Sequence, residues 1–193
     1  PHDDQFNSIH EQLLASWLAW PTEQIHFCAQ RDSEEDWRTL LYLIDTCRQS
    51  GKTTIDLAVE DLGWHQLSQR FVDHEDRPVD WMFKLYPWEW MWTEAFACHL
   101  PGRCQHFIEP VWKMLWSNKA FLVLLWDMFD GHPNLLRTAF KPDGMRHHVE
   151  KPFFGREGTN VRLIQNGGLL EQSHGPWNSQ PKVYQALHPE VSF

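Results

Sequence analysis

The chain has 193 residues, 42% of them apolar and 22% charged, with a formal net charge of −9, and at this length roughly 70% of the unfolded surface can be buried without staples. The acidic balance and the absence of a Lys/Arg cluster exclude a general nucleic-acid binder, because phosphate backbones are held by clustered cations. No apolar run approaches the ~18 residues that span a bilayer, and Pro1-His2-Asp3-Asp4 has neither a basic n-region nor an apolar h-region, so the sequence reads as soluble, cytoplasmic and free of membrane contact.

Ser8 and Glu11 have the spacing of a capping box, and Ile9, Leu13, Leu14, Trp17 and Leu18 recur at helical intervals up to Pro21. Residues 24–29 alternate as a strand. Ser33 then opens a second helix with the stripe Trp37, Leu40, Leu41, Ile44 and Cys47, closed by Gly51. Residues 53–59 give the next strand, completing a βαβ unit, and residues 81–86 give a third strand after an irregular charged segment at 73–80. A parallel sheet is expected in this half.

In the second half Ser117 is expected to begin a helix with Leu122, Leu125, Trp126 and Phe129 on one face, ended by Gly131-His132-Pro133. Val149 lies in a strand ending at Lys151-Pro152, and a glycine loop at 155–158 joins it to an antiparallel strand at 161–164. That strand turns at Asn166-Gly167 into Leu169-Leu170.

Cysteines at 28, 47, 98 and 104 form no Cys-x-x-Cys and read as reduced residues, the first two in the core. Cys98, His99, Cys104 and His106 are zinc-ligand types at a spacing that matches no standard finger, so loop residues are expected there. Gln49-Ser50-Gly51-Lys52-Thr53-Thr54 looks like the end of a Walker A loop, but Thr46 stands where the first glycine belongs and Gly51 follows a helix rather than preceding one. It reads as a helix C-cap.

Lys151-Pro152-Phe153-Phe154-Gly155-Arg156-Glu157-Gly158-Thr159-Asn160 is the most informative run. Its glycines free backbone amides for phosphate approach, and Lys151 and Arg156 supply positive charge; an ordinary glycine hairpin explains the same residues.

Four blocks in order carry a resemblance: Phe83-Lys84-Leu85-Tyr86-Pro87-Trp88-Glu89-Trp90; Glu109-Pro110-Val111-Trp112-Lys113 leading to Ser117-Asn118-Lys119-Ala120; His132-Pro133-Asn134-Leu135-Leu136; and the loop beginning at Lys151. Together with Asp4-Gln5-Phe6-Asn7-Ser8-Ile9-His10 and Arg31-Asp32-Ser33-Glu34-Glu35-Asp36, they resemble the glutathionylspermidine synthase family, in particular its stand-alone synthetase-like members. The resemblance implies an α/β (α+β) chain, with a pre-ATP-grasp-like βαβ region at 1–107 and part of an ATP-grasp-like nucleotide-binding region at 108–193. It also implies an ATP-dependent carboxylate–amine ligase that forms an amide through an acyl phosphate from a small acid and amine of glutathione and polyamine type.

By the same resemblance Lys119 and Lys151 would hold nucleotide phosphates, and Gly155, Arg156, Glu157, Gly158, Thr159 and Asn160 would close over them, with Arg156 acting in catalysis. Gln180 and Val183 would form the adenine hinge, where a strand at the edge of a sheet is the plainer reading, and Glu89 would face substrate. The family's Mg2+-binding acidic segment is expected upstream of Pro1 and its remaining strands beyond Phe193. The chain alone is therefore expected to be inactive, and a nucleotide-binding or interaction module without ligase activity is the alternative.

Overall fold

In the computed structural model, which describes residues 7–100 and 106–188, the amphipathic stretches of the first half become helix α1 (Ile9–Ala19), strand β1 (Gln24–Ala29), helix α2 (Glu34–Gln49) and strand β2 (Thr53–Ala58). A 3-10 turn at Val59–Asp61 leads into the hairpin β3 (Gly63–His65) and β4 (Arg70–Val72). Strand β5 (Trp81–Leu85), the one-turn helix α3 (Trp88–Met91) and strand β6 (His106–Ile108) follow. These give a four-stranded sheet in the order β2-β1-β5-β6, with every neighbouring pair parallel.

The sheet is covered on both faces, as parallel sheets require. On one side Trp17, Leu40, Ile44 and Cys47 from the two helices pack on Ile25 and Phe27 of β1; on the other Leu62, Trp64, Phe71 and Val79 pack on Cys28, Leu57 and Met82. The Trp17 indole donates to Thr46 Oγ1 at 2.9 Å inside this core.

The sequence misplaces some of the helical stripe. Leu18 and Leu41 face solvent, while Trp17, Leu40, Ile44 and Cys47 cover β1. Ser8 does not cap α1 with its side chain, since its hydroxyl accepts the Gln12 amide instead of a backbone N–H. Ser33 does cap α2, accepting from Asp36 N, and Gly51 (φ +87°) closes that helix with its amide on Arg48 O at 2.9 Å.

The chain divides into two units, Pro1–Val111 and Trp112–Phe193. The sequence reading places this boundary after residue 107, inside β6, but pairing of Met82 with Phe107 and Phe83 with Ile108 carries that strand into the first unit.

The second unit contains α4 (Met114–Ser117), α5 (Phe121–Met128), β7 (Thr138–Ala139), β8 (His148–Pro152), β9 (Arg162–Gln165), β10 (Gly168–Gln172) and β11 (Lys182–Ala186). Its strands form a five-stranded antiparallel sheet in the order β10-β9-β8-β11-β7. Asn166 (φ 53°) and Gly167 (φ 79°) make the left-handed two-residue turn between β9 and β10, and the register shifts between Leu169 and Glu171. Ser117 ends α4 rather than opening the longer helix; the carboxamide oxygen of Asn118 accepts from Ala120 N at 2.9 Å and starts α5. Val123 is the buried residue of that helix, and Phe129, expected on its inner face, is exposed.

Candidate functional site

Along β8 the buried side chains of His148, Glu150 and Pro152 alternate with Val149 and Lys151, so the strand period sets Lys151 on the face opposite Glu150. Lys151 reaches a cavity of about 290 Å3 lined by Lys119, Lys151, Pro152, Gly155, Glu157, Gly158, Thr159 and Val161. Lys119 arrives from the turn between α4 and α5. Its backbone N–H donates to Phe153 O at 2.8 Å, and its ammonium donates to the carbonyl of Gly155.

The Lys151 ammonium donates to Gln185 Oε1 at 2.6 Å, and Gln185 Nε2 in turn donates to Thr138 Oγ1 at 3.2 Å. Gln185 is on β11 and Thr138 on β7, so the lysine is oriented by a relay running across the sheet. Burial holds the Lys151 pKa below the ordinary lysine value, since its charged form is partly stripped of water.

The glycine loop is braced at both ends. Phe153 N–H donates to Pro181 O and Phe154 N–H to Gln180 Oε1, each at 3.0 Å, while the amide and hydroxyl of Thr159 donate to Arg156 O at 2.9 and 2.7 Å. Between these anchors Glu157 (φ 49°) and Gly158 (φ 68°) take left-handed backbone. Gly155 is glycine for a different reason: a Cβ there would lie 2.4 Å from Pro152 Cγ.

The structure thus brings Lys119, Lys151, Gly155, Glu157, Gly158 and Thr159 to one cavity. Arg156 is exposed on the same loop but is not part of the lining. Asn160 is buried, with Nδ2 donating to Asn178 Oδ1 at 2.7 Å and Oδ1 accepting from Trp177 N at 2.8 Å, so its amide ties the loop to the segment before β11. Gln180 holds the Phe154 amide, and Val183 is fully buried in register with Lys151. β11 lies between β8 and β7, so the reading of this segment as a sheet edge is corrected. Glu89 is half-buried on α3 of the first unit.

Gln185 and Thr138 escaped the sequence reading, and only the strand register brings them to Lys151. Lys84 escaped it as a site too. It is 5% exposed, donates to Tyr86 O at 2.8 Å and sits 4.2 Å above the Trp88 ring. A lone lysine inside the apolar run 81–85 was the available signal.

Other candidates resolve into packing. His99 stacks on Trp64 at 3.9 Å and His106 on Trp81 at 4.2 Å, while Cys104 lies outside the described residues. Among the described residues no group of three or more His, Cys, Asp or Glu is placed to hold a metal, and no helix is long and apolar enough to cross a membrane. Lys52, beside the Walker-like glycine, donates to Trp20 O at 3.0 Å. Burial pushes the Cys28 thiol up to about 12 and the Cys47 thiol up to about 11, so neither presents a thiolate near neutral pH.

The profile described as "Glutathionylspermidine synthase preATP-grasp" matches residues 1–193. The chain belongs to this family. It is 41% identical over 179 residues to a candidate acid–amine ligase of Haemophilus influenzae, an alignment covering 88% of this chain and 46% of that protein. It is 27% identical over 192 residues to the bifunctional glutathionylspermidine synthetase/amidase of Escherichia coli, covering 84% of this chain and 30% of the relative. Similarity to the trypanothione synthetase of Crithidia fasciculata is 23% over 211 residues, covering 93% and 32%. The chain therefore spans less than half the length of these relatives.

Within this glutathionylspermidine synthase family member, the block at 83–90 falls on the end of β5 and α3, the block at 117–120 on the junction of α4 and α5, and the block at 151–160 on the cavity loop. The similar run Asp4-Gln5-Phe6 lies outside the described residues.

Proposed function

We propose that this chain carries the phosphate-gripping part of a ligase that uses ATP to join a small carboxylic acid to an amine through an acyl phosphate. The observation that carries the proposal is the meeting of the Lys119 and Lys151 side chains at one cavity walled by a glycine loop. An ammonium has three donor hydrogens. Gln185 Oε1 takes one of those of Lys151, which leaves that lysine with donors for an anion. A partly desolvated Lys151 gains more from a phosphate than a surface lysine does, because the anion restores the stabilisation that burial removed.

The residues present fit the phosphates of a nucleotide: Lys119, Lys151 and the small residues Gly155 and Gly158 line one concavity, with Glu157 as its acidic member. When bound, ATP would supply the phosphoryl group that activates the acid. Lys119, Lys151 and Arg156 would hold and neutralise the transferred oxygens, a task that is mainly one of positioning and electrostatics. Gln180 and the backbone of Val183 are assigned to the adenine edge, Asn160 to loop support and Glu89 to the acid or amine. Mg2+ is assigned to no described residue, and among these no three His, Cys, Asp or Glu side chains are grouped to hold a metal. The family match and the names of the ligase and synthetase relatives support the amide-forming chemistry, with an acid and amine of the glutathione and polyamine kind.

The test is a calorimetric titration of ATP into the 193-residue chain and its Lys119→Ala and Lys151→Ala variants. Each substitution should weaken binding by about tenfold, the worth of a charge-assisted hydrogen bond of about 1.5–3 kcal/mol at its lower end. Equal affinity in all three proteins, or no binding by the parent chain, would remove the reading.

A further inference from the structure

A second cavity, of about 310 Å3, lies wholly within the first unit. Its place in the sheet is informative. β1 has β2 on one side and β5 on the other, so the chain crosses over β1 and the strand order reverses there. In open parallel α/β sheets, ligands bind in the crevice outside the carboxyl ends of the strands at such a reversal. Val59 and Glu60 follow the carboxyl end of β2 and Tyr86 follows that of β5; all three line the cavity. The segment leaving β1 supports it, since the backbone N–H of Arg31 donates to Glu60 Oε2 at 3.1 Å.

The chemistry of the walls is one-sided. Leu62, Phe71 and Met91 are buried apolar residues of the lining, whereas Glu60 and Glu94 are exposed. Among the described residues the lining contains no lysine, arginine or histidine. The guanidinium of Arg31 is engaged by Asp61 at 2.5 Å. The Tyr86 hydroxyl donates to Glu94 Oε1 at 2.7 Å, which fixes that carboxylate and leaves lone pairs on Oε2 for a ligand. Two carboxylates above an apolar wall repel anions and give a neutral hydrocarbon no use for the charge.

We propose that this cavity binds a small organic ammonium with an apolar body, the cation held by Glu94 in the field of Glu60 and the hydrocarbon placed against Phe71, Met91 and Leu62. A long polycation satisfies the carboxylates but leaves the apolar wall uncovered, so a monoamine with an aromatic or branched body is the better complement. The proposal does not rest on the nucleotide reading, because every described lining residue belongs to the first unit.

The experiment is calorimetric titration of the 193-residue chain, without nucleotide, with 2-phenylethylammonium, its neutral isostere 2-phenylethanol and the anion 3-phenylpropionate. The ammonium should bind at a single saturable site, the alcohol about tenfold more weakly and the anion not measurably, as expected when one charge-assisted contact separates the first two. Glu94→Gln should bring the ammonium down to the affinity of the alcohol while alcohol binding persists, which shows that the cavity itself is intact. Glu60→Gln should reduce the preference by a smaller factor. The proposal is overturned if the ammonium does not saturate, if ammonium and alcohol bind equally to the parent chain, or if the preference survives in Glu94→Gln. Failure of ATP to bind in the separate titration leaves this outcome unaffected.

Discussion

The ammonium of Lys151 lies 2.6 Å from the amide oxygen of Gln185, thirty-four residues later in the chain, and the amide nitrogen of Gln185 is tethered to Thr138. Gln185 thus acts as a positioning residue for the lysine. Gln185→Leu should keep the fold and lower ATP affinity about fivefold, the worth of one hydrogen bond of about 1 kcal/mol. Gln185→Glu should lower it further, because the new carboxylate competes with phosphate for the same cation. Calorimetry on both variants, with melting curves to verify the fold, checks the order; a Gln185→Glu protein that binds ATP as the parent does contradicts the relay.

The pH dependence of binding follows from the environment of Lys151. Burial lowers its pKa, so its charge is lost on raising the pH earlier than for an ordinary lysine at ~10.4. ATP affinity should therefore fall at a lower pH than an unshifted lysine would give. Lys151→Arg, which stays charged to above pH ~12, should hold its affinity to higher pH even if its affinity at pH 7 is reduced. Titrations between pH 7 and about 10.5 compare the two slopes.

His26 supplies a stability prediction of opposite sense. It is 1% exposed, its Nε2 has no hydrogen-bond partner, and Asp73 Oδ2 is 3.5 Å away. Burial lowers its pKa, the attraction of Asp73 offsets part of that shift, and Arg77 adds to it. The unfolded chain then takes up a proton more readily than the folded one, so stability is lost as the pH falls below the unfolded value of ~6.5 toward the lower folded value. The drop in Tm between pH 7.5 and about 5 should be smaller in His26→Gln than in the parent. Parallel curves for the two proteins would show that His26 contributes nothing in that window.

The buried Trp17–Thr46 hydrogen bond gives a fourth test, on the core of the first unit. Thr46→Val keeps the volume but strands the indole N–H and the interaction of Thr46 Oγ1 with Leu43 O, so unfolding should become easier by about 1–3 kcal/mol. Thr46→Ser should recover most of the loss. Chemical denaturation followed by tryptophan fluorescence reads both, and a valine variant as stable as the parent would mean that water or a rearranged partner satisfies the indole.

The sequence made the central strands legible because Ile25, Phe27 and Cys28 or Leu57 and Ala58 are apolar runs of strand length bounded by turns, and it made the end of α2 legible because Gly51 needs a left-handed backbone. It hid β3, β4 and β7, which are two or three residues long and show no period. The break between α4 and α5 was hidden as well, since a local turn in which Asn118 Oδ1 accepts from Ala120 N interrupts an otherwise continuous apolar helical pattern. At the cavity of Lys119 and Lys151 the lysines and glycines could be read from residue type and local turn chemistry. Their support could not: Gln185 meets Lys151 only through the register of β8 with β11. Glu60 and Glu94 likewise come to one cavity through the parallel crossover, which no local pattern records.

The edges of the antiparallel sheet bear on how the protein keeps company with other copies of itself in a crowded solution. β7 is only two residues long, too short to template a neighbour, and β10 is exposed along its whole length with Leu169 and Leu170 on display. Such a strand would ordinarily invite a second chain to add on. The register shift between Leu169 and Glu171 breaks the regular spacing of its backbone groups, and the carboxylate of Glu171 places charge within it. A register shift and a charge on a strand that is outermost among the described residues both oppose edge-to-edge pairing, which a straighter and more apolar strand would favour.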